Sequence, residues 1–283
     1  MFSCEKEIEL KVPPHEPGLV LNSLFEQGYH ITVHLSESKL ITDTLTSLGS
    51  GVSVLLKHNN SSEKLTYSGS GKYESENILA HSGEEYTVEA EHEGYNKIVA
   101  TDIVPAKTPF KIINFIPEAG IDEYGDLYSE IDIEFNDNPD VTNYYEIGLM
   151  SYIGGSEEYH TDGRWDLGWI YSEDPYVLNE GDKNYWYQNI LLRDEMFNGK
   201  TVRLKCTTQY QKEHDTKFRI HFRCVSENYY KYKKKWIRHY ANQVTDIWDG
   251  TGNPVILFSN IENGYGIFAA FTEQQITINI SEW

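Results

Sequence analysis

No apolar run in this chain approaches the roughly 18 consecutive residues that a membrane-crossing helix requires. Runs such as 112–116 and 266–271 are the length of a strand. Cations are also short: 24 Lys and Arg stand against 44 Asp and Glu, for a formal net charge of −20. That balance argues against nucleic acid, because a phosphate backbone calls for clustered Lys and Arg. The one basic run, 231–238, sits in a Tyr/Trp-rich stretch and reads as the solvated face of a short helix. Cysteine occurs three times, as Cys4, Cys206 and Cys224, with no Cys-x-x-Cys. There is no Gly-x-Ser-x-Gly elbow, no Walker loop and no His-Glu-x-x-His. Gly264-Tyr-Gly266 lacks the third glycine and the following helix of a dinucleotide fingerprint, so its glycines read as turn residues before the last strands. Nothing here calls for a cofactor or a metal, and the expectation is a protein that is not an enzyme.

Helical patterns are scarce too, and what is present is strand. Twenty-one Tyr and six Trp fit pleated, half-buried surfaces. In Thr201-Val-Arg-Leu-Lys-Cys-Thr-Thr-Gln-Tyr210 the apolar or small residues take even positions, and Lys217-Phe-Arg-Ile-His-Phe-Arg-Cys224 repeats the rule. Turn chemistry at 212–216 joins them, so the spacing predicts one antiparallel hairpin. Centring the turn on Asp215 places Cys206 opposite Cys224, both pointing inward. A disulfide and two packed thiols then both remain open. Further strands are expected at 29–35, 52–57, 85–91, 98–103, 129–136 and 144–152. The one substantial helix is expected at 226–240, capped by Ser226, with Tyr229, Tyr232, Trp236 and Tyr240 on one face.

The fold class is therefore all-β. Two prolines in Val104-Pro-Ala-Lys-Thr-Pro109 mark a boundary. Residues 18–106 have the size and strand number of an immunoglobulin-like β-sandwich, and 107–283 form a larger antiparallel β domain with one short helix. Residues 1–17 read as a tether, charged and then Pro-rich. Ser3-Cys4 matches the end of a bacterial lipoprotein signal, although only Met1 and Phe2 stand before it. Cys4 is thus the candidate lipidation site.

Candidate chemistry is thin. His160, Asp162, Glu157 and Glu158 are metal-ligand types without the spacing of a zinc or calcium site. Asp137-Asn-Pro-Asp140 reads as a turn, since Asp and Asn bond their own backbone. Asp132 and Glu134 lie two apart on one strand face, the arrangement of an acid–base pair. Trp165, Trp169, Tyr171 and Tyr176, set among glycines, could stack on sugar rings or form a small hydrophobic cluster beneath a loop.

Several segments together carry a resemblance. They are Cys4-Glu-Lys-Glu-Ile-Glu-Leu10, Gly18-Leu-Val-Leu-Asn22, Asn143-Tyr-Tyr145, Asp194-Glu-Met-Phe-Asn-Gly-Lys200, Ser226-Glu-Asn-Tyr-Tyr-Lys-Tyr232 and Asn253-Pro-Val-Ile-Leu-Phe-Ser-Asn-Ile-Glu-Asn-Gly-Tyr-Gly-Ile-Phe268. In this order they resemble a Bacteroidetes family described as a domain of unknown function, DUF4249. The resemblance implies an outer-membrane lipoprotein, encoded beside TonB-dependent transporters, and it supplies no catalytic residue. The acidic residues after Cys4 are similar to a tag for the outer leaflet, whereas Cys206 and Cys224 depart from the family pattern. The functional expectation is a surface-exposed, non-catalytic accessory partner of a TonB-dependent transporter or related outer-membrane machine. It would be held to the bacterial outer membrane by a lipid anchor, facing the cell exterior. The alternative is a surface module that captures glycan or peptide.

Overall fold

The structure is a computed structural model that describes residues 16–40, 48–153, 163–180, 188–210, 215–243 and 255–283. Cys4, Glu157, Glu158, His160 and Asp162 lie outside the described residues. Up to Ile103 the chain forms β1 (Leu19–Glu26), β2 (His30–Glu37), β3 (Ser53–His58), β4 (Ser61–Lys64), β5 (Thr66–Gly69), β6 (Lys72–Leu79), β7 (Glu85–Glu91) and β8 (Ile98–Ile103). After the Pro105–Pro109 connection come β9 (Phe110–Ile121), β10 (Leu127–Asn136), β11 (Tyr144–Ile153), β12 (Arg164–Leu167), the short helix α1 (Pro175–Leu178), β13 (Ile190–Arg193), β14 (Thr201–Gln209) and β15 (Asp215–Val225). Helix α2 (Glu227–Gln243) and β16 (Tyr265–Asn279) complete the described elements. The fold is all-β with one substantial helix, as the alternation and the scarcity of helical patterns imply.

Two sandwiches share one sheet. Nine strands run in the order β12-β11-β15-β16-β1-β2-β6-β5, with β13 also paired to β11. The sheet β4-β3-β7-β8 covers its β1 half, and the sheet β14-β10-β9 covers its β11 half. Each pairing buries its own core. Leu19, Leu21, Val33, Leu56, Tyr86 and Val88 are among the residues of the first, and Ile131, Phe135, Tyr145, Phe197, Phe218 and Phe222 of the second. The core changes between Val104, in the first, and Phe110, in the second. The last strand does not respect that division. Ile261, Phe268 and Ala270 belong to the first core, so the unit built on residues 18–106 takes in a segment from the far end of the chain.

β16 makes this sharing possible. Residues 265–271 pair with β1, in parallel, and 271–279 pair with β15, antiparallel. The sheet system is therefore not purely antiparallel. Where β15 stops, side chains take over the backbone groups of β16 that must be satisfied. Asn260 receives the Phe268 N–H at 3.0 Å and donates to its carbonyl at 2.8 Å, as a neighbouring strand would. The Ala270 N–H goes to Asp102 at 2.7 Å, and its carbonyl accepts from Ser226 N at 3.0 Å. Gly266 has φ +108, the freedom read from its sequence, but it lies within β16 against the Leu21 carbonyl and not in a turn.

The predicted hairpin at 201–224 is corrected. β14 pairs with β10, placing Cys206 beside Ile131, while β15 pairs with β11 and β16, placing Cys224 beside Tyr145 and Thr272. The two strands belong to opposite layers of one sandwich. Both cysteines do point into the core, and both are free thiols, so the candidate disulfide does not form. Burial pushes each thiol's pKa up. Alternation had specified the inward face of each strand, and it held at Val202, Leu204, Phe218, Ile220 and Phe222. A period of two says nothing about which strand lies alongside.

Helix α2 begins where predicted, with Ser226 Oγ accepting from Tyr229 N at 3.2 Å. It packs on the outer face of the shared sheet through Tyr229, Tyr230 and Ile237, against Val225, Ile267 and Ala269. Its Lys231, Lys235 and Arg238 are exposed, consistent with the solvated face expected of the basic run.

Candidate functional site

On the outer face of the shared sheet, three strands align one charged residue each: Glu146 of β11, Arg223 of β15 and Glu273 of β16 occupy one row of the register. Arg223 Nη1 donates to Glu146 Oε2 at 2.9 Å and its Nε to Glu273 Oε2 at 2.6 Å. Helix α2 closes the row from above, its Tyr229 hydroxyl donating to Glu146 Oε2 at 2.6 Å. Asn189 Nδ2 reaches Glu146 Oε1 at 3.1 Å. His221, one pair further along, places Nδ1 3.1 Å from Glu273 Oε1. Glu146 is only 1% exposed.

Two carboxylates thus share one guanidinium in a buried setting. For Arg223, burial works against the charge, and Glu146 and Glu273 more than offset it, so its pKa is pushed above the ordinary value. For Glu273, burial would raise the carboxyl, but hydrogen bonds from His221, Gln275 and Arg223 hold it at about 2. Tyr229 is raised, first by burial and then by the Glu146 charge. Glu26, at the end of the neighbouring β1, is raised by burial and by repulsion from Glu273.

Beside the row lies a cavity of about 100 Å³ lined by Glu146, Gly148, Asn189, His221 and Arg223, with Leu149, Met150 and Leu167 as its apolar wall. Topology explains its position. β13 pairs with 144–147 of β11 and β12 with 150–153, so the neighbour of β11 is interrupted at Gly148 and Leu149. Gly148 has no side chain to fill the notch, and a Cβ there would stand 2.7 Å from Asn189 Oδ1. No serine, threonine or cysteine is among its described lining residues. What the site offers is charge, acceptors and a small space.

The residues singled out by sequence fall elsewhere. Trp165 is held by Tyr152, with ring centroids 5.2 Å apart, and by the Arg219 guanidinium 3.9 Å from its own centroid. Tyr176 packs edge-on against Phe197 and joins the second core. Only Trp169 and Tyr171 form a parallel pair, at 6.2 Å and 12°. The four aromatics are therefore not one platform. Glu134 is neutralised by Lys111 and Arg203, each at 2.6 Å, which lower its pKa. Asp132 accepts from Asn114 at 3.2 Å. Asp137 takes the Tyr145 hydroxyl at 2.6 Å and Gly199 N at 2.8 Å, and Asp140 N bonds Asn138 Oδ1, so this loop is a turn. No group of three or more His, Cys, Asp or Glu is placed to hold a metal among the described residues. Glu146, Arg223 and Glu273 escaped sequence reading because each occupies the outward position of an alternating strand. Only the pairing register brings residues 77 and 50 positions apart together.

Together these features define an all-β protein of two sandwiches on a common sheet, with a buried ionic row closed by the helix and a small cavity beside that row. The chain belongs to the family described as Domain of unknown function (DUF4249), whose model matches residues 5–277. Among solved structures it is similar to chitinase ChiA74 from Bacillus thuringiensis, at 9% identity and a TM-score of 0.21, over 68% of this chain and 26% of that one. It is also similar to a protein from Corynebacterium diphtheriae described as membrane anchored, at 10% identity and a TM-score of 0.20, over 76% of this chain and 55% of that one. The chain spans less than two thirds of either protein, and likeness at this level carries no argument. No curated protein matches it.

Proposed function

We propose that this chain is a non-catalytic accessory protein, lipid-anchored through Cys4 at the surface of a bacterial outer membrane, that docks on a TonB-dependent transporter or a related outer-membrane protein. The observation that carries the reading is the edge strand β9. It is twelve residues long and lies at the end of the order β14-β10-β9, paired on one side with β10 among the described residues. Ile113, Ile116 and Ile121 on it are 40%, 41% and 67% exposed, and Tyr124 follows at the tip of its hairpin. A long edge with outward apolar side chains is what folded proteins usually blunt, and it suits a partner that adds a strand.

The test is recovery of the native lipoprotein from detergent-solubilised outer membranes. An outer-membrane protein should copurify with it, and Ile113→Lys with Ile116→Lys should abolish that recovery while shifting stability by no more than about 0.5 kcal/mol. Purification as a monomer with no membrane partner overturns the docking. Labelling with a palmitate analogue, lost in Cys4→Ser, tests the anchor separately. A second reading, capture of glycan, rests on the parallel Trp169–Tyr171 pair, which offers a stacking face for a sugar ring. A flat response across a glycan array discards it.

A further inference from the structure

Lys217, Arg219, His221 and Arg223 take alternate positions on the outer face of β15, a basic run in a chain whose formal net charge is −20. At one end of the run Glu146 and Glu273 hold Arg223, and Glu273 also faces His221. At the other end Lys217 and Arg219 have no carboxylate within ion-pair distance among the described residues. Register sets both beside aromatic and apolar side chains. Lys217 shares a row with Tyr152 and Trp165, and Arg219 shares the next with Met150, Leu167 and Thr277. No Asp or Glu stands in either row among the described residues. The Arg219 guanidinium lies 3.9 Å from the Trp165 ring centroid, and its Nε donates to Thr277 Oγ1 at 3.4 Å. These contacts occupy its face and its inner edge. Nη1 and Nη2 have no hydrogen-bond partner among the described residues and are not sealed from water, so the forked edge is open. Lys217 is exposed, with Nζ 5.5 Å from the Tyr152 ring centroid, and Leu167 is 69% exposed.

We infer that this face binds a partner protein through an extended acidic segment with carboxylates at alternate positions. A guanidinium is a planar fork that matches a carboxylate in two parallel bonds, and charge-assisted bonds of this kind are the strong ones. The Trp165 ring already orients the fork, so little rotamer freedom is lost on binding. Lys217, two positions along the same strand face, stands about 7 Å from Arg219, which is also the repeat of alternate side chains on an extended chain. Residues i and i+2 of the incoming segment therefore meet both cations. Met150 and Leu167 give the contact an apolar flank. Trp, Tyr, Met and Arg are the residue types enriched where proteins meet, and that composition favours a protein over an acidic glycan. The layer that contains β9 covers the opposite face of the shared sheet, so this contact is separate from docking at that edge.

The experiment is a selection of random linear peptides displayed on phage against the purified protein, repeated on the double variant Lys217→Gln with Arg219→Gln. Peptides sharing two acids at alternate positions, recovered on the wild type and lost on the variant, support the site. A consensus of another kind, or none, overturns it. The selected peptide is then titrated by calorimetry beside a counterpart in which Gln replaces each acid, which should not bind. Arg219→Lys keeps the charge but loses the fork and should weaken binding at least about tenfold. Lys217→Gln, an exposed change that leaves the fold alone, should weaken it several-fold. Unchanged affinity in both variants also overturns the inference. Oligogalacturonate is the glycan probe: binding as tight as the peptide's, lost in the same variants, assigns the face to an acidic glycan and overturns the protein partner. Ile113→Lys with Ile116→Lys should leave the peptide's affinity unchanged, and a loss there places the contact at β9 and overturns this face.

Discussion

Removing one member of the charged row leaves its buried partners short of a bond, so its residues should behave asymmetrically on substitution. Glu146 is the most enclosed, held by Arg223, Tyr229 and Asn189. Glu146→Ala takes one of its two carboxylates from the buried Arg223 guanidinium and should cost about 3–5 kcal/mol in denaturant unfolding. Tyr229→Phe removes only one donor to a charged acceptor and should cost about 1.5–3 kcal/mol. Glu273 makes a prediction in pH. The unfolded chain takes up this proton near the ordinary 4.5, the folded chain near 2. Its contribution is therefore complete above about 4.5 and is lost as pH falls towards 2. Stability profiles of the wild type and Glu273→Gln should converge on acidification and separate above that window. Parallel profiles across the whole range would refute the assignment.

At the scale of elements, the side-chain substitutes for a missing strand are the feature to probe. Asn260 supplies both bonds that Phe268 would otherwise exchange with a neighbour, and Phe268 is fully buried. Asn260→Ala should cost about 1–3 kcal/mol, because two buried backbone groups lose their partners. Hydrogen exchange at the Phe268 amide should accelerate more than at Ile278, whose side of β16 keeps its β15 partner. Equal protection at both amides would show that Asn260 is dispensable. The same elements show how far the sequence could be read. Alternation placed Cys206 and Cys224 inward correctly, since burial depends only on which face a residue takes. It paired their strands wrongly, since a five-residue connection can turn back within a sheet or cross to the opposite layer. The charged row was illegible for a related reason: Glu146 and Arg223 look like any outward polar residue until register sets them side by side. Helix α2 was legible because its cap and its buried stripe are local.

For the whole molecule, the shared sheet makes the sandwiches interdependent. β1 has β2 on one side and β16 on the other, and the Phe25 and Phe268 rings lie 4.6 Å apart in the first core. Helix α2 adds a second tie: Asn228 reaches Asp102 at 2.9 Å while Tyr229 reaches Glu146. A fragment of residues 18–106 should therefore fail to show dispersed amide signals or a cooperative unfolding transition. The same fragment followed by a flexible linker and residues 255–272 should recover both. Independent folding of the short fragment would show that the division at 107 is a true domain boundary.

The placement of β16 also sets a clock. Residues of the first core are complete up to Val104, yet Phe268 and Ala270 are made about 160 positions later. At roughly 5–20 residues per second, β1 waits about 10–30 s after its own sandwich is otherwise synthesised before its parallel neighbour exists. Throughout that interval its edge is an open template on an unfinished chain. Chains cut short before residue 265 should accordingly fail first by aggregating at synthesis, before any finished fold exists to be lost.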